Sequence, residues 1–269
     1  MKKLILISIL MMMATQSKAD CTLQTLNDTD CFQCGENCLA HVTYEDEIQP
    51  DGSTKSVGTM TLSGQGPMGD FLYQTSPDIY GDNHSRPYSV VRNNIQNIKI
   101  EEGITTVGVN AFINFSNLKN VELPQSLERI SGGAFQGCKR LNNINIPEHL
   151  LSIGNQSFEG TSLTSLVIPS QSTLNQYAFY RYTPTTTLTT LYCTPEMIEA
   201  CEAAIAYRND AAEVVEYQQI SDNQYFVDGK YYAKLNDIGT PNYIKKRIYT
   251  IDEANRVAGE KNRVSIKYR

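Results

Sequence analysis

Apolar residues in the middle of the chain recur at a fixed offset. Leu118, Val121 and Leu123 are followed 23 residues later by Leu141, Ile144 and Ile146, and 22 residues after that by Leu163, Leu166 and Ile168. Ile95, Ile98 and Ile100 stand 23 residues before the first set, and Leu188, Leu191 and Cys193 stand 25 after the last. Each set reads apolar-x-x-apolar-x-apolar, and its alternating end predicts a short strand with one face turned inward. A second register runs in step through Ile104 and Val107, Leu127 and Ile130, Leu150 and Ile153, and Leu174 and Tyr177. A third consists of Ala111-Phe112, Ala134-Phe135, Ser157-Phe158 and Ala178-Phe179. Three registers on one period predict a β-rich leucine-rich-repeat solenoid of about five coils, in which no coil folds alone and stacking supplies a shared core.

Other residue types fit the same coil. Pro124, Pro147 and Pro169 follow strands, where a missing amide donor ends the ladder. Gly137 and Gly160 permit a tight turn before the next strand. With neighbouring strands about 4.8 Å apart, five coils make a ladder roughly 20 to 25 Å long.

The steps Ile146-Pro147, Ile130-Ser131 and Ile153-Gly154, with Ala134-Phe135 and Gly137-Cys138, resemble the BspA-like, Treponema-type leucine-rich repeats over residues 95–192. Residues 58–71 look like the leader that often precedes such repeats. Phe115 departs from the pattern by standing where a Cys is expected, as does the fourth coil with Tyr180-Arg181-Tyr182 and a Thr-rich insertion through Thr190. The resemblance implies a secreted or cell-surface binding protein, since some similar proteins are adhesins that engage host matrix proteins.

Solenoids expose apolar core at open ends, so terminal caps are expected. Residues 1–19 read as a signal peptide: Lys2 and Lys3 precede an apolar run over 4–14, and Ser17 and Ala19 mark a cleavage site. Residues 20–94 are read as an N-terminal cap and leader, with a hairpin of 41–48 and 56–63 around Pro50-Asp51-Gly52. Residues 193–269 are read as a small α+β C-terminal cap. It should hold a helix from Thr194-Pro195 to about Arg208, a hairpin turning at Asp228-Gly229, a short helix opened by Thr250 and Glu253, and a last strand through Val264, Ile266 and Tyr268.

Seven cysteines in an exported chain favour disulfides over metal. Cys21, Cys31, Cys34 and Cys38 form one candidate group with three possible pairings. Cys193 and Cys201 form another, although a helix between them should hold their backbones beyond bridging distance. Cys138 is left over.

Without Lys2, Lys3 and Lys18 the net charge falls from -6 to -9, and residues 241–269 hold eight basic against three acidic residues. An acidic body excludes nucleic acid as the partner. No other stretch after the signal peptide is long and apolar enough to span a membrane. His41, His84 and His149 are scattered, no phosphate loop or nucleophile elbow is present, and no enzyme, metal site or cofactor is expected. Asn27, Asn83, Asn114 and Asn155 begin Asn-x-Ser/Thr triplets, which matter only where the source glycosylates them.

Repeat proteins bind through side chains projecting from the outer face of the ladder. The candidate face is Gln96, Asn97 and Lys99; Lys119, Asn120 and Glu122; Asn142, Asn143 and Asn145; Thr164, Ser165 and Val167; and Thr189, Thr190 and Tyr192. Amides and hydroxyls suit a polar protein segment or a glycan as ligand; they also form solvated side-chain ladders between coils with no ligand at all. The alternative function is a structural or assembly component of the cell envelope, attached through the basic C-terminal segment.

Overall fold

The computed structural model of the chain describes residues 31–71, 91–180, 187–206, 212–222 and 224–244. The signal peptide, Cys21, His84, two of the four Asn-x-Ser/Thr triplets, and the helix and strand expected within 245–269 lie outside the described residues.

Each coil has three sides, one for each register of the sequence. On the first side β5 (Ile95–Ile100), β7 (Asn120–Glu122) and β9 (Asn143–Ile144) pair in parallel, with Ile98, Val121 and Ile144 in line. On the second, β4 (Gly66–Pro67), β6 (Ile104–Val107), β8 (Arg129–Ile130), β10 (Ser152–Ile153) and β12 (Thr173–Leu174) form a parallel sheet. The third side has no strands, yet its coils are also hydrogen-bonded to one another. The amides of Phe112, Phe135 and Phe158 donate to the carbonyls of Ala134, Ser157 and Ala178 at 2.8, 2.9 and 3.0 Å. The result is a β-solenoid of about five turns.

A column of phenylalanines runs through its centre. Phe112, Phe135, Phe158 and Phe179 stack with centroids 5.5, 5.8 and 5.9 Å apart and planes within 18° of parallel. Around them Leu118, Leu141, Ile104, Leu127 and Leu150 are fully buried. Phe115 and Cys138 occupy equivalent places one coil apart: Phe115 packs edge-on against Phe112, whereas the Cys138 thiol donates to the Phe112 carbonyl at 3.1 Å.

The turns explain the glycines. Asn110, Gly133 and Gln156 occupy one left-handed position per coil, and Asn114, Gly137 and Gly160 occupy a second. A Cβ on Gly160 would meet nothing closer than 3.6 Å, whereas one on Gly137 would collide with the Asn114 side-chain oxygen. Gly160→Ala is therefore expected to cost only the backbone penalty of about 1 kcal/mol, and Gly137→Ala roughly 2 kcal/mol or more once the overlap is added. Equal losses in chemical denaturation would show that the overlap is relieved at no cost.

The coil between Leu141 and Leu163 is one residue shorter, and the omission falls between Phe158 and Leu163. Strand pairing on the first side stops at β9 and resumes in a separate sheet of β11 (Ser165–Val167), β13 (Thr190–Cys193) and β14 (Glu213–Glu216). Two side-chain amides bond the backbone beside the break, Asn145 tying its coil back to the preceding one and Asn236, from the C-terminal unit, meeting Ile146 at the break itself. Asn145 accepts from the Leu123 amide at 2.7 Å and donates to its carbonyl at 2.8 Å. Asn236 does the same to Ile146, at 3.0 Å in both directions.

The N-terminal hairpin pairs β2 (Cys38–Ile48) with β3 (Thr54–Gly64), and β1 (Cys31–Gly35) adds to its outer edge. Strand β3 also pairs in parallel with β5, so Met60 and Leu62 extend the core inward-facing rows of Ile98 and Ile100. Cys34 and Cys38 are bridged, and Cys31 is disulfide-bonded as well.

At the other end Pro195 opens a single 3-10 turn, η1 (Pro195–Met197), before α1 (Ile198–Ala206). The helix was expected to hold Cys193 and Cys201 too far apart. The structure overturns that: their α-carbons are 6.8 Å apart and the sulfurs are bonded, because Cys201 lies early in α1 and both residues are fully buried in the main core. Replacing both by alanine is expected to cost about 2 kcal/mol, the loop-closure contribution of so short a ring; an unchanged denaturation midpoint would show that packing alone fixes the helix.

Strand β14, which the sequence reading did not foresee, carries the ladder one strand past β13. After it, β15 (Gln218–Ser221), β16 (Gln224–Val227) and β17 (Lys230–Tyr232) form an antiparallel sheet, with the tight turn at Asp228-Gly229 where it was expected. The short η2 (Leu235–Asp237) follows. Tyr217, Tyr225, Val227, Tyr232, Leu235 and Ile238 make a second core that closes over Val167.

Candidate functional site

Alternation along the first-side strands sends two columns of side chains outward, and parallel register lines them up from coil to coil. One column is Thr59, Asn97, Asn120 and Asn143, continuing across the break as Ser165, Thr190 and Glu213. The other begins with Thr61, Lys99 and Glu122 and ends with Val167, Tyr192 and Val215.

The first column is knitted by its own amides. Asn143 donates to the Asn120 carbonyl oxygen at 3.3 Å, Asn120 to Asn97 at 2.8 Å, and Asn97 to the Thr59 hydroxyl at 3.3 Å. Each asparagine commits one N–H to its neighbour, so each keeps a second N–H for solvent or ligand. Lys99 and Glu122 stand exposed beside this ladder and put opposite charges on adjacent strands. Lys119, Asn142, Thr164 and Thr189 mark the entry of each strand, with the Thr189 hydroxyl donating to the Thr164 carbonyl at 3.1 Å.

Four expected members of the face lie elsewhere. Gln96 is buried and donates to the Ser56 carbonyl at 3.1 Å, because β3 of the N-terminal hairpin pairs directly with β5. Asn145 is committed to the Leu123 backbone. Val167 is only 6 % exposed and Tyr192 is half-buried, both covered by the second core. What remains open is a polar strip over the first three coils, with Thr164, Ser165, Thr189 and Thr190 beyond it.

The sequence reading missed Thr59, Thr61, Glu213, Val215 and Asn236. For the first two the signal was present: Val57, Met60 and Leu62 repeat the apolar-x-x-apolar-x-apolar pattern. Asn236 carries no such signal, since only the fold sets it against Ile146, 90 residues away.

On the second side Glu102 accepts from the backbone amides of Gln125 and Ser126 at 2.9 and 3.0 Å, and those bonds hold its carboxyl below the ordinary glutamate range. This contact joins two coils and leaves no reacting group. Among the described residues no three His, Cys, Asp or Glu side chains gather as a metal-binding group, and His41 and His149 stand on different parts of the fold. No helix of the described residues is long and apolar enough to cross a membrane.

Residues 88–194 match the family model of the BspA type leucine rich repeat region in six copies. Among solved structures, a leucine-rich repeat protein from Eubacterium ventriosum is 20% identical, with the match covering 59% of this chain and 45% of that one at a TM-score of 0.38. The Leucine Rich Repeat protein of T. pallidum is 20% identical, covering 55% and 68% at a TM-score of 0.35. A leucine rich cell surface protein from Faecalibacterium prausnitzii is 17% identical, covering 71% and 59% at a TM-score of 0.25. No curated protein matches.

Proposed function

We propose that this chain, whose residues 88–194 are a BspA-type leucine-rich repeat region, is a secreted or cell-surface protein that binds another protein through the open part of its strand face. The observation that carries this reading is the amide ladder Asn97, Asn120 and Asn143, flanked by Lys99 and Glu122. The ladder fixes the amides in place without exhausting their hydrogen-bonding capacity. Such pre-set donors bind a polar segment at a smaller entropic cost than flexible side chains would.

The reading assigns the protein no turnover. A polar glycan offers hydrogen bonds similar to those of a peptide, so both ligand classes belong in the test. The mature protein and a variant carrying Asn120→Ala, Asn143→Ala and Thr164→Ala are to be compared on an array of matrix proteins and glycans. Retention of a protein ligand is expected to fall at least about tenfold, the effect of losing one to two interfacial hydrogen bonds. The folding midpoint should move little, because Asn143 and Thr164 are exposed and Asn120 is half-buried with only outer-face hydrogen bonds to lose. Undiminished retention by a folded variant would sink the reading, and loss confined to glycans would replace the protein ligand with a saccharide.

A further inference from the structure

The C-terminal unit covers the end of the strand face incompletely. Between the outer side of β13 and β14 and the β16–β17 hairpin lies a cavity of about 480 Å³. Tyr192, Tyr232, Val215 and Val227 line it together with Glu213 and Asp228. Gly239 passes so close to Tyr192 that a Cβ there would strike the ring and its hydroxyl, so the missing side chain is what leaves Tyr192 its place. Val227 and Tyr232 reach it from the second core, where both are almost fully buried, so its open lining belongs to Tyr192, Val215, Glu213 and Asp228.

Charge decides what this cavity accommodates. Among the described residues neither Glu213 nor Asp228 has a basic group within ion-pair distance; the pair present is Arg129 with Glu128, on another face. Lys230 also lines the cavity, but its ammonium sits 5.8 Å above the Tyr243 ring, which gives that cation a partner of its own. The Tyr192 hydroxyl reports the resulting field: burial first, then the Tyr232 phenol and the Glu213 and Asp228 carboxylates, push it up.

We infer that this cavity is a second binding site, which takes an alkyl guanidinium or ammonium group with its aliphatic stem against Val215, its head toward Glu213 and Asp228, and the half-buried Tyr192 beside it. A tyrosine ring and carboxylates both attract a cation, and Val215 suits the stem of an arginine or lysine side chain. The site is separate from the amide ladder and stands or falls independently of the function proposed above.

The test is calorimetric titration of the mature protein with N-acetyl-arginine methylamide and with its neutral isostere N-acetyl-citrulline methylamide. Butylguanidine and an arginine-centred pentapeptide run alongside. The arginine derivative is expected to bind at least tenfold more tightly than the citrulline one, and its binding to weaken as salt is added. Glu213→Gln with Asp228→Asn should abolish that preference while the thermal midpoint holds, since both residues are exposed. Asn120→Ala with Asn143→Ala should leave it intact. A pentapeptide that binds more tightly than butylguanidine identifies a protein side chain as the source of the cation, and the reverse identifies a small free alkyl cation. Equal binding of the citrulline derivative, no binding of any cation, or displacement by methyl glucoside would overturn the assignment.

Discussion

Phe135→Ala lowers the unfolding free energy by about 3 to 5 kcal/mol, the range for emptying a fully buried aromatic position. Phe135 has no exposed surface and lies between Phe112 and Phe158, with ring centroids 5.5 and 5.8 Å away. The substitution removes two stacking contacts and leaves a void at the centre of the column, where hydrogen-bonded coils on both sides prevent collapse. Phe179→Ala, at the end of the column with its stacking partner Phe158 on one side, should cost about 2 to 3 kcal/mol. Stability in a solenoid is close to a sum of nearest-neighbour terms, so a break in the middle should also reduce cooperativity. In denaturant titrations followed by circular dichroism, Phe135→Ala should show a shallower slope than Phe179→Ala. Equal losses and equal slopes would mean that the column is not what couples the coils.

The column was legible in the sequence because it is periodic. One coil supplies one Phe, and the same backbone geometry at each step puts the rings in line. The inward rows of Leu118 and Leu141 were readable for the same reason. Which outward residues stay open was not readable, because that depends on contacts made across large sequence separations. Gln96 is drawn under β3 from 40 residues away, and Val167 and Tyr192 lie beneath a unit that begins after β14. The sequence does record the second event in composition. The outer column changes from Lys99 and Glu122 to Val167, Tyr192 and Val215, a shift from charged to apolar that an uncovered face would not tolerate. The missing residue before Leu163 was visible as a spacing of 22. Its consequence, a strand ladder that stops at β9 with Asn236 bonded to Ile146 at the break, required the fold.

Tyr217→Ala is expected to loosen the C-terminal unit from the strand face at a cost of about 3 to 5 kcal/mol to that unit. Tyr217 is 1 % exposed, packs edge-on against Tyr225 at 6.1 Å, and donates its hydroxyl to the Ile168 carbonyl at 2.9 Å, joining the second core to a residue of the first. Truncation empties the ring's place and leaves that carbonyl without its donor. Tyr217→Phe keeps the ring and should cost only about 1 kcal/mol, the net value of one hydrogen bond. Burial, followed by the Glu148 and Glu196 carboxylates, pushes the Tyr217 phenol far above its ordinary value of 10.0. A phenol raised in the folded state contributes stability that is complete below the unfolded value and is lost as pH rises through the alkaline range. Wild type should therefore lose its C-terminal unit as pH rises beyond the ordinary phenol value of 10.0, before the repeats unfold, and Tyr217→Phe should lose it at higher pH. Hydrogen exchange read by mass spectrometry can follow both effects. In Tyr217→Ala the amides of β16 and β17 should exchange faster while those of β5 and β7 keep their protection, and a dye that binds apolar surface should find Val167 and Tyr192 uncovered. Faster exchange spread evenly over all the coils would instead mean that the two cores unfold as one, and that the apolar end of the strand face is part of the solenoid's own stability.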